Sequence, residues 1–263
     1  MEKDVIGLIP AGGKATLISP LPGSKELFPV GFHPHGPEGE LRPKVVSHYL
    51  LERMRTAGVT KTFIVIRKGK WDIPEYYGDG SLLDMQLGYL VMNQPYGPPY
   101  TLDQAYPFVQ HATIAFGFPD ILFTPEDAFA QLLAELDAAS ADVVLGVFPV
   151  KAPHKWDMVD LDPAGRVRGF AFKPQQTDLR YGWALAVWRP TFTEFMHQFL
   201  AGRTAQYGQP GSTPPELSVG EVLQAAVAAG LVVGSRIFQS GTCLDVGTPG
   251  DLLEAIRNAV GKE

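Results

Sequence analysis

The segment that most constrains this chain runs from residue 5 to residue 30 and reads VIGLIPAGGKATLISPLPGSKELFPV. Its apolar opening, residues 5–9, has the composition of a buried parallel strand. The run empties into Pro10-Ala11-Gly12-Gly13, where glycine lets the backbone turn tightly and lie close to a ligand. Lys14 follows at once and Lys25 closes the segment. A strand that ends in a glycine-rich loop with cations nearby is a means of holding phosphates, through backbone N–H groups and ammonium charge together. Two common phosphate loops are absent, because neither G-x-G-x-x-G nor G-x-x-x-x-G-K-[ST] can be read here.

The rest of the first half alternates between strand and helix patterns. Strands are predicted at residues 5–9, 62–66, 88–92, 113–116 and 142–150, and helices at 44–57 and 125–136. This β–α–β alternation predicts a mostly parallel sheet flanked by helices, a Rossmann-like α/β class. Ligands of such sheets bind beyond the carboxyl ends of the strands. The second half reads as short strands at 158–161, 166–170 and 182–188, a small β-rich flap. A turn-rich loop at 203–215 follows, then helices at 215–229 and 250–260 around a strand at 231–238. One domain is expected over residues 1–263, with a nucleotide-binding half at 1–150 and an acceptor-binding and metal-ligand half at 151–263.

The loop resembles the signature of the sugar-phosphate nucleotidyltransferases, such as the glucose-1-phosphate thymidylyl- and uridylyltransferases. That signature is roughly A-G-G-x-G-T-R-L-x-P, followed by a lysine before an apolar L-P segment. Ala11, Gly12, Gly13, Thr16, Pro20 and Lys25 match it, and Glu26-Leu27-Phe28-Pro29-Val30 closes it. Ala15 stands at the second loop glycine, Leu17 at the arginine, and the stretch between Pro20 and Lys25 is about two residues short. Leucine cannot make the charge-assisted hydrogen bond that arginine gives to a triphosphate, and losing one such donor costs on the order of 10²–10³ in rate. Lys14 and Lys25 are the cations available in its place, and both are candidate catalytic residues.

Further segments follow in the order the resemblance requires. Leu244-Asp245-Val246-Gly247-Thr248-Pro249 is similar to the family's L-D-x-G-T-P, whose aspartate is one of two carboxylates that hold Mg²⁺. Mg²⁺ takes oxygen ligands and commonly one or two carboxylates plus substrate phosphates. The family's other carboxylate lies in G-D-N. Here the turn reads Gly117-Phe118-Pro119-Asp120, so Asp120 is the candidate although it comes two residues late. Gln94-Pro95 resembles a base-reading V-Q-P element, and Thr101, Leu102 and Gln104 fall on a G-L-A-Q-A helix start. A glutamine amide donates and accepts at once, which suits a pyrimidine imide edge. With Pro10, Ala11, Gly12 and Gly13 these are the candidate nucleotide-binding residues. On the acceptor side, Lys173-Pro174 matches E-K-P with Phe172 at the glutamate. Asp157 stands at the glycine of Y-G-V-V, and Trp183 falls on the sugar-side strand.

The resemblance implies a Mg²⁺-dependent transferase that joins a sugar 1-phosphate, or a related phosphorylated small molecule, to a nucleoside monophosphate with release of pyrophosphate. The rival reading is a catalytically weakened regulatory or assembly subunit that binds a nucleotide or nucleotide sugar, which Leu17, the displaced Asp120 and Phe172 favour. A net charge of −6 with no basic stripe argues against a nucleic-acid partner, and none is expected. Cys243 is the chain's one cysteine and is expected in the core. No apolar run reaches membrane-spanning length, and the first residues lack a signal-peptide pattern, so a cytoplasmic protein is expected. A homo-oligomer is left open. The histidines of Phe32-His33-Pro34-His35-Gly36 read as a polar loop.

Overall fold

A computed structural model of the chain describes residues 4–35, 38–92, 96–206 and 215–260. In chain order the strands are β1 (Val5–Ala11), β2 (Pro29–His35), β3 (Glu40–Val45), β4 (Lys61–Arg67), β5 (Gln86–Met92), β6 (Thr113–Gly117), β7 (Ile121–Thr124), β8 (Val143–Pro149), β9 (Asp157–Leu161), β10 (Val167–Phe172), β11 (Tyr181–Trp188), β12 (Val233–Ile237) and β13 (Thr242–Asp245). The helices are α1 (Val46–Thr56), α2 (Asp72–Tyr77), α3 (Pro98–Asp103), α4 (Tyr106–Val109), α5 (Ala128–Ala138), α6 (Pro190–Gln206), α7 (Val219–Ala228) and α8 (Pro249–Val260).

Strands β5, β4, β1 and β6 lie side by side and all parallel. Their carboxyl ends therefore open on one edge, where the loop after β1 begins. The sheet continues through β11, which runs antiparallel to β6 and carries β8 along most of its length and β9 at Gly182. Strand β10 extends β9, and β12 pairs parallel with β8. The predicted α/β class is observed, with the second-half strands built into the same sheet.

Period-two alternation divides the apolar residues between two faces. Ile9, Ile64 and Ile66 join Leu51, Met54 and Phe129 in one core cluster, beneath α1 and α5. Leu8, Val65 and Phe116 join Leu102, Trp188 and Phe192 in the other, beneath α3, α6 and α7. Two small antiparallel ribbons stand outside the main sheet: β2 with β3, and β7 with β13.

Several local expectations are corrected. Residues 44 and 45 end β3, and α1 starts at Val46. The histidine-containing segment at 32–35 is strand, not loop. Helix α6 was missed: Phe192, Phe195 and Phe199 share one face, but Arg203 falls on that same side and offsets their apolar signal. It also takes in the start of the expected 203–215 loop, whose residues 207–214 lie outside the described residues. Helix α7 begins four residues later than expected. Ser218 caps it reciprocally with Glu221: the Ser218 Oγ accepts from the Glu221 N–H at 3.2 Å, and the Glu221 carboxylate accepts from the Ser218 N–H at 2.7 Å.

The loop after β1 turns on Ala15, whose φ of +53° is a conformation L-residues adopt at a cost of about 1–2 kcal/mol. The Ala15 carbonyl is fixed there by the Ile18 N–H at 3.2 Å, the Ser19 N–H at 3.0 Å and the Ser19 hydroxyl at 2.8 Å. Ala15→Gly is expected to raise stability by about 0.5–1 kcal/mol, less than the full strain because glycine also gains freedom in the unfolded chain. A denaturant titration showing no gain, or a loss, would rule out the strained turn.

Candidate active site

A cavity of about 460 Å³ opens at the carboxyl ends of β1, β5 and β6. Pro10, Gly12, Gly13, Lys14 and Thr16 form one wall, and Lys25, Glu26, Phe118 and Asp120 another. Thr101 and Glu216 close it on the side of α3. Nothing lies within 4 Å of where a Cβ on Gly13 would be, so the loop backbone faces open volume.

Lys25 sits in a 3-10 turn, residues 25–27, that drops its ammonium onto the Asp120 carboxylate in an ion pair. Burial works against that charge, but Asp120, Asp245 and Glu26 outweigh it and hold the Lys25 pKa above its ordinary value. Its neighbour Glu26 is buried and pairs with buried Lys70 at 2.6 Å, leaving Glu26 Oε2 with no partner among the described residues. Burial raises the Glu26 pKa in spite of Lys70, and burial lowers that of Lys70 in spite of Glu26.

The two-residue delay before Asp120 is taken up by a turn in which the Ile121 N–H donates to the Phe118 carbonyl at 3.2 Å. Strand β7 then pairs with β13 so that Asp245 lies opposite Ile121. The Val246 N–H donates to the Asp120 carbonyl at 2.9 Å. Two carboxylates more than a hundred residues apart are thereby brought together by one short ribbon. Burial and the Asp120 charge push the Asp245 pKa up to about 6. A pair of carboxylates under that electrostatic pressure suits a small dication with oxygen preference, so the donor set fits Mg²⁺. Just beyond, Thr248 caps α8. Its hydroxyl donates to the Asp251 carboxylate at 2.6 Å, and Lys155 pairs with the same carboxylate at 2.7 Å. Cys243 is mostly buried on β13, its thiol pushed up to about 12 by burial and by Asp245.

A second cavity, about 490 Å³, lies behind α1 and away from the glycine loop. His33, His48, Glu52, Arg53, Asp84 and Glu126 line it. Here the expected polar histidine loop instead sets the His33 ring 4.8 Å from that of His48. Burial acts to raise the Glu52 pKa, but hydrogen bonds from His48 and Lys44 bring it down to about 2 from an ordinary 4.5. A depressed carboxylate pKa adds stability above the unfolded value, and that stability is lost as the pH falls from 4.5 toward 2. Glu52→Gln should flatten that part of a Tm-against-pH curve, by an amount moderated because the side chain is 40% exposed. An unchanged acid limb would remove Glu52 from the account.

The family model described as nucleotidyl transferase matches residues 6–261. The chain belongs to the nucleotidyl transferase family. Among relatives, it is 23% identical over 253 residues to the low-salt glycan biosynthesis nucleotidyltransferase of Haloferax volcanii. It is 26% identical over 256 residues to a glucose-1-phosphate thymidylyltransferase of Streptomyces griseus. Each alignment covers 95% of this chain but 64% of the relative, so the chain spans somewhat under two thirds of their length. A solved Bacillus anthracis structure assigned as a glucose-1-phosphate thymidylyltransferase, in complex with sucrose, superposes with a TM-score of 0.79 at 17% identity. It covers 97% of this chain and 95% of that one.

Within this nucleotidyl transferase fold, Pro10, Gly12, Gly13, Lys14, Lys25, Thr101 and Asp120 line one cavity, and Asp245 joins Asp120 beside it. Ala11 is buried where β1 ends. Leu102 packs into the core beneath α3, and the Gln104 amide donates to the Tyr100 carbonyl at 3.3 Å; neither lines the cavity. Gln94 lies outside the described residues. Asp157 and Phe172 face one another across β9 and β10, and Lys173 follows them with its N–H on the Trp156 carbonyl at 3.2 Å. Trp183 is 4% exposed and packs between Phe116 and Phe118 in the core, its indole N–H without a partner among the described residues.

Sequence reading missed Glu26 and Glu216. Glu26 is hidden in an apolar-looking segment. Glu216 reaches the cavity through the tertiary fold, because the Leu217 N–H donates to the Tyr96 carbonyl at 3.0 Å. Gly97 makes that approach feasible: its φ is +108°, and a Cβ there would lie 2.1 Å from the Leu217 carbonyl oxygen.

Proposed function

We propose that the chain transfers a nucleotidyl group from a nucleoside triphosphate, with a pyrimidine base, to the phosphate of a sugar 1-phosphate or related small molecule, releasing pyrophosphate. The observation that carries this reading is the Lys25–Asp120 ion pair facing the glycine loop, with Asp245 laddered beside it. Gly12, Gly13 and Lys14 receive the triphosphate, and Lys25 offsets charge at the α-phosphate. Thr101 serves the base side of the cavity, with Leu102 and Gln104 supporting the helix behind it, and Gln94 is assigned to the base by its motif alone. Lys173 holds the acceptor phosphate. Asp120 and Asp245 are the residues that would hold Mg²⁺, which supplies charge neutralisation at the phosphate oxygens. An acceptor phosphate oxygen attacks the α-phosphorus, the bond to the β-phosphate oxygen breaks, and pyrophosphate leaves. The chain's own contribution is alignment and preorganised charge, with no covalent intermediate on the protein.

Pyrophosphate release in Mg²⁺, with dTTP, UTP, CTP, GTP and ATP scanned against a panel of sugar 1-phosphates, tests the proposal. The expected result is release that requires one pyrimidine triphosphate and one acceptor. Nucleotide binding with no release across the panel would move the assignment to the weakened binding subunit. Leu17, 77% exposed where the family signature has arginine, is the observation that favours this second reading. Leu17→Arg has room for the longer side chain and is expected to raise kcat about tenfold or more by restoring a donor to the triphosphate. An unchanged kcat would mean that the loop already has its cations in Lys14 and Lys25.

A further inference from the structure

Asp157 and Phe172 are direct cross-strand partners in the β9–β10 ladder, so their side chains share one face of the sheet. Both lean on the first turn of α7. A Cβ on Gly220 would lie 2.6 Å from Asp157 Oδ2 and 3.1 Å from Phe172 Cε1. Phe172 is 44% exposed, and its ring lies parallel to that of Phe170 at 6.3 Å between centroids. The Asp157 carboxylate is half-buried, and among the described residues its charge is acted on by Lys173 and Glu221 and by no hydrogen-bond donor. It is not needed as a helix cap, because Ser218 and Glu221 already cap α7 reciprocally. Burial and the Glu221 charge disfavour its ionised form, and Lys173 relieves this in part. Lys173 acts on Asp245 in the same sense, which ties this patch to the crevice that holds the carboxylate pair.

A half-buried carboxylate without a donor, beside an open aromatic face, is better matched by a cation than by a neutral hydroxyl. A protonated amine supplies the missing charge and N–H donors to Asp157 and a cation–π contact to Phe172. Lys173 remains for the phosphate of the same molecule. Resting on the nucleotidyl-transfer reading above, we infer that Asp157 and Phe172 form a cation subsite and that the phosphorylated acceptor carries a protonated amine.

The test compares acceptors that differ only in amine against hydroxyl: glucosamine 1-phosphate with glucose 1-phosphate, and ethanolamine phosphate with 2-hydroxyethyl phosphate. Each is assayed for pyrophosphate release by the wild type and by Asp157→Asn and Asp157→Gly. Circular dichroism and Tm serve as folding controls. The amine member of one pair is expected to have a kcat/KM about tenfold or more above its partner, and both variants should bring the ratio near one. A wild-type preference for the hydroxyl members, or an amine preference that survives Asp157→Asn, would overturn the inference and leave nucleotidyl transfer standing. Should no acceptor support release, the transfer reading falls, and calorimetric titration with glucosamine 1-phosphate and ethanolamine phosphate decides the subsite separately. Binding that Asp157→Asn abolishes supports it, and equal or absent binding overturns it.

Discussion

Asp245→Asn is expected to lower kcat for pyrophosphate release by about 10³-fold or more and to abolish the tightening of triphosphate binding by Mg²⁺. The reasoning begins with the ribbon of β7 and β13. It sets Asp245 beside Asp120, whose charge joins burial in pushing the Asp245 pKa to about 6. Two like-charged carboxylates in a half-buried site are only partly answered by the single charge of Lys25, and a dication answers both. Asparagine keeps the shape that packs over Gly247, where a Cβ would lie 3.3 Å from Asp245 Oδ1, and removes the charge. The Mg²⁺-free variant should therefore unfold no earlier than the wild type, which separates loss of the metal from loss of the fold. Calorimetric titration of the triphosphate with and without Mg²⁺ gives the reading. Mg²⁺-dependent tightening that persists in the variant would remove Asp245 from the metal site and the catalytic assignment with it.

The parts of this site that were legible in the sequence are those whose chemistry is local. An apolar strand running into Gly12-Gly13 carries its own signal, and so does Leu244–Pro249, where strand, turn and capped helix follow within a few residues. Asp120 was legible as a residue type but not as a position. Its displacement is absorbed by the turn at Phe118–Ile121 and by the β7–β13 pairing, and that pairing joins segments more than a hundred residues apart. Four-residue strands such as these have too little periodicity to be read. Lys70 was silent for a similar reason: only the fold brings a loop lysine against Glu26. Helix α6 was hidden because Arg203 sits on the same side as Phe192, Phe195 and Phe199 and breaks the apolar stripe. Leu102 and Gln104 show the converse case. Their spacing matched a motif, but α3 turns one into the core and leaves the other bonded to its own backbone.

Lys25→Met should reduce kcat/KM by about 10²–10³, because it removes a preorganised positive charge from the phosphate end of the cavity. It should also expose what Lys25 does before any substrate arrives. In the free chain Lys25 is the cation that answers Asp120 and Asp245, and both members of its ion pair are mostly buried. Breaking such a pair from one side strands the other charge and costs about 3 kcal/mol. For a chain of this size that is a Tm fall of roughly 6–12 °C. Mg²⁺ would then have two uncompensated carboxylates to bind. It should raise the Tm of Lys25→Met by more than it raises that of the wild type, in which the ammonium competes for Asp120. Lys25→Arg keeps the charge but presents a planar fork in place of a point charge, so it should restore most of the Tm and only part of the rate. The decisive comparison is the Mg²⁺-induced Tm shift across wild type, Lys25→Met and Asp245→Asn. It should be largest for Lys25→Met and near zero for Asp245→Asn. Equal shifts in all three would mean that the metal binds elsewhere and that Lys25 and the carboxylate pair do not share one cation site.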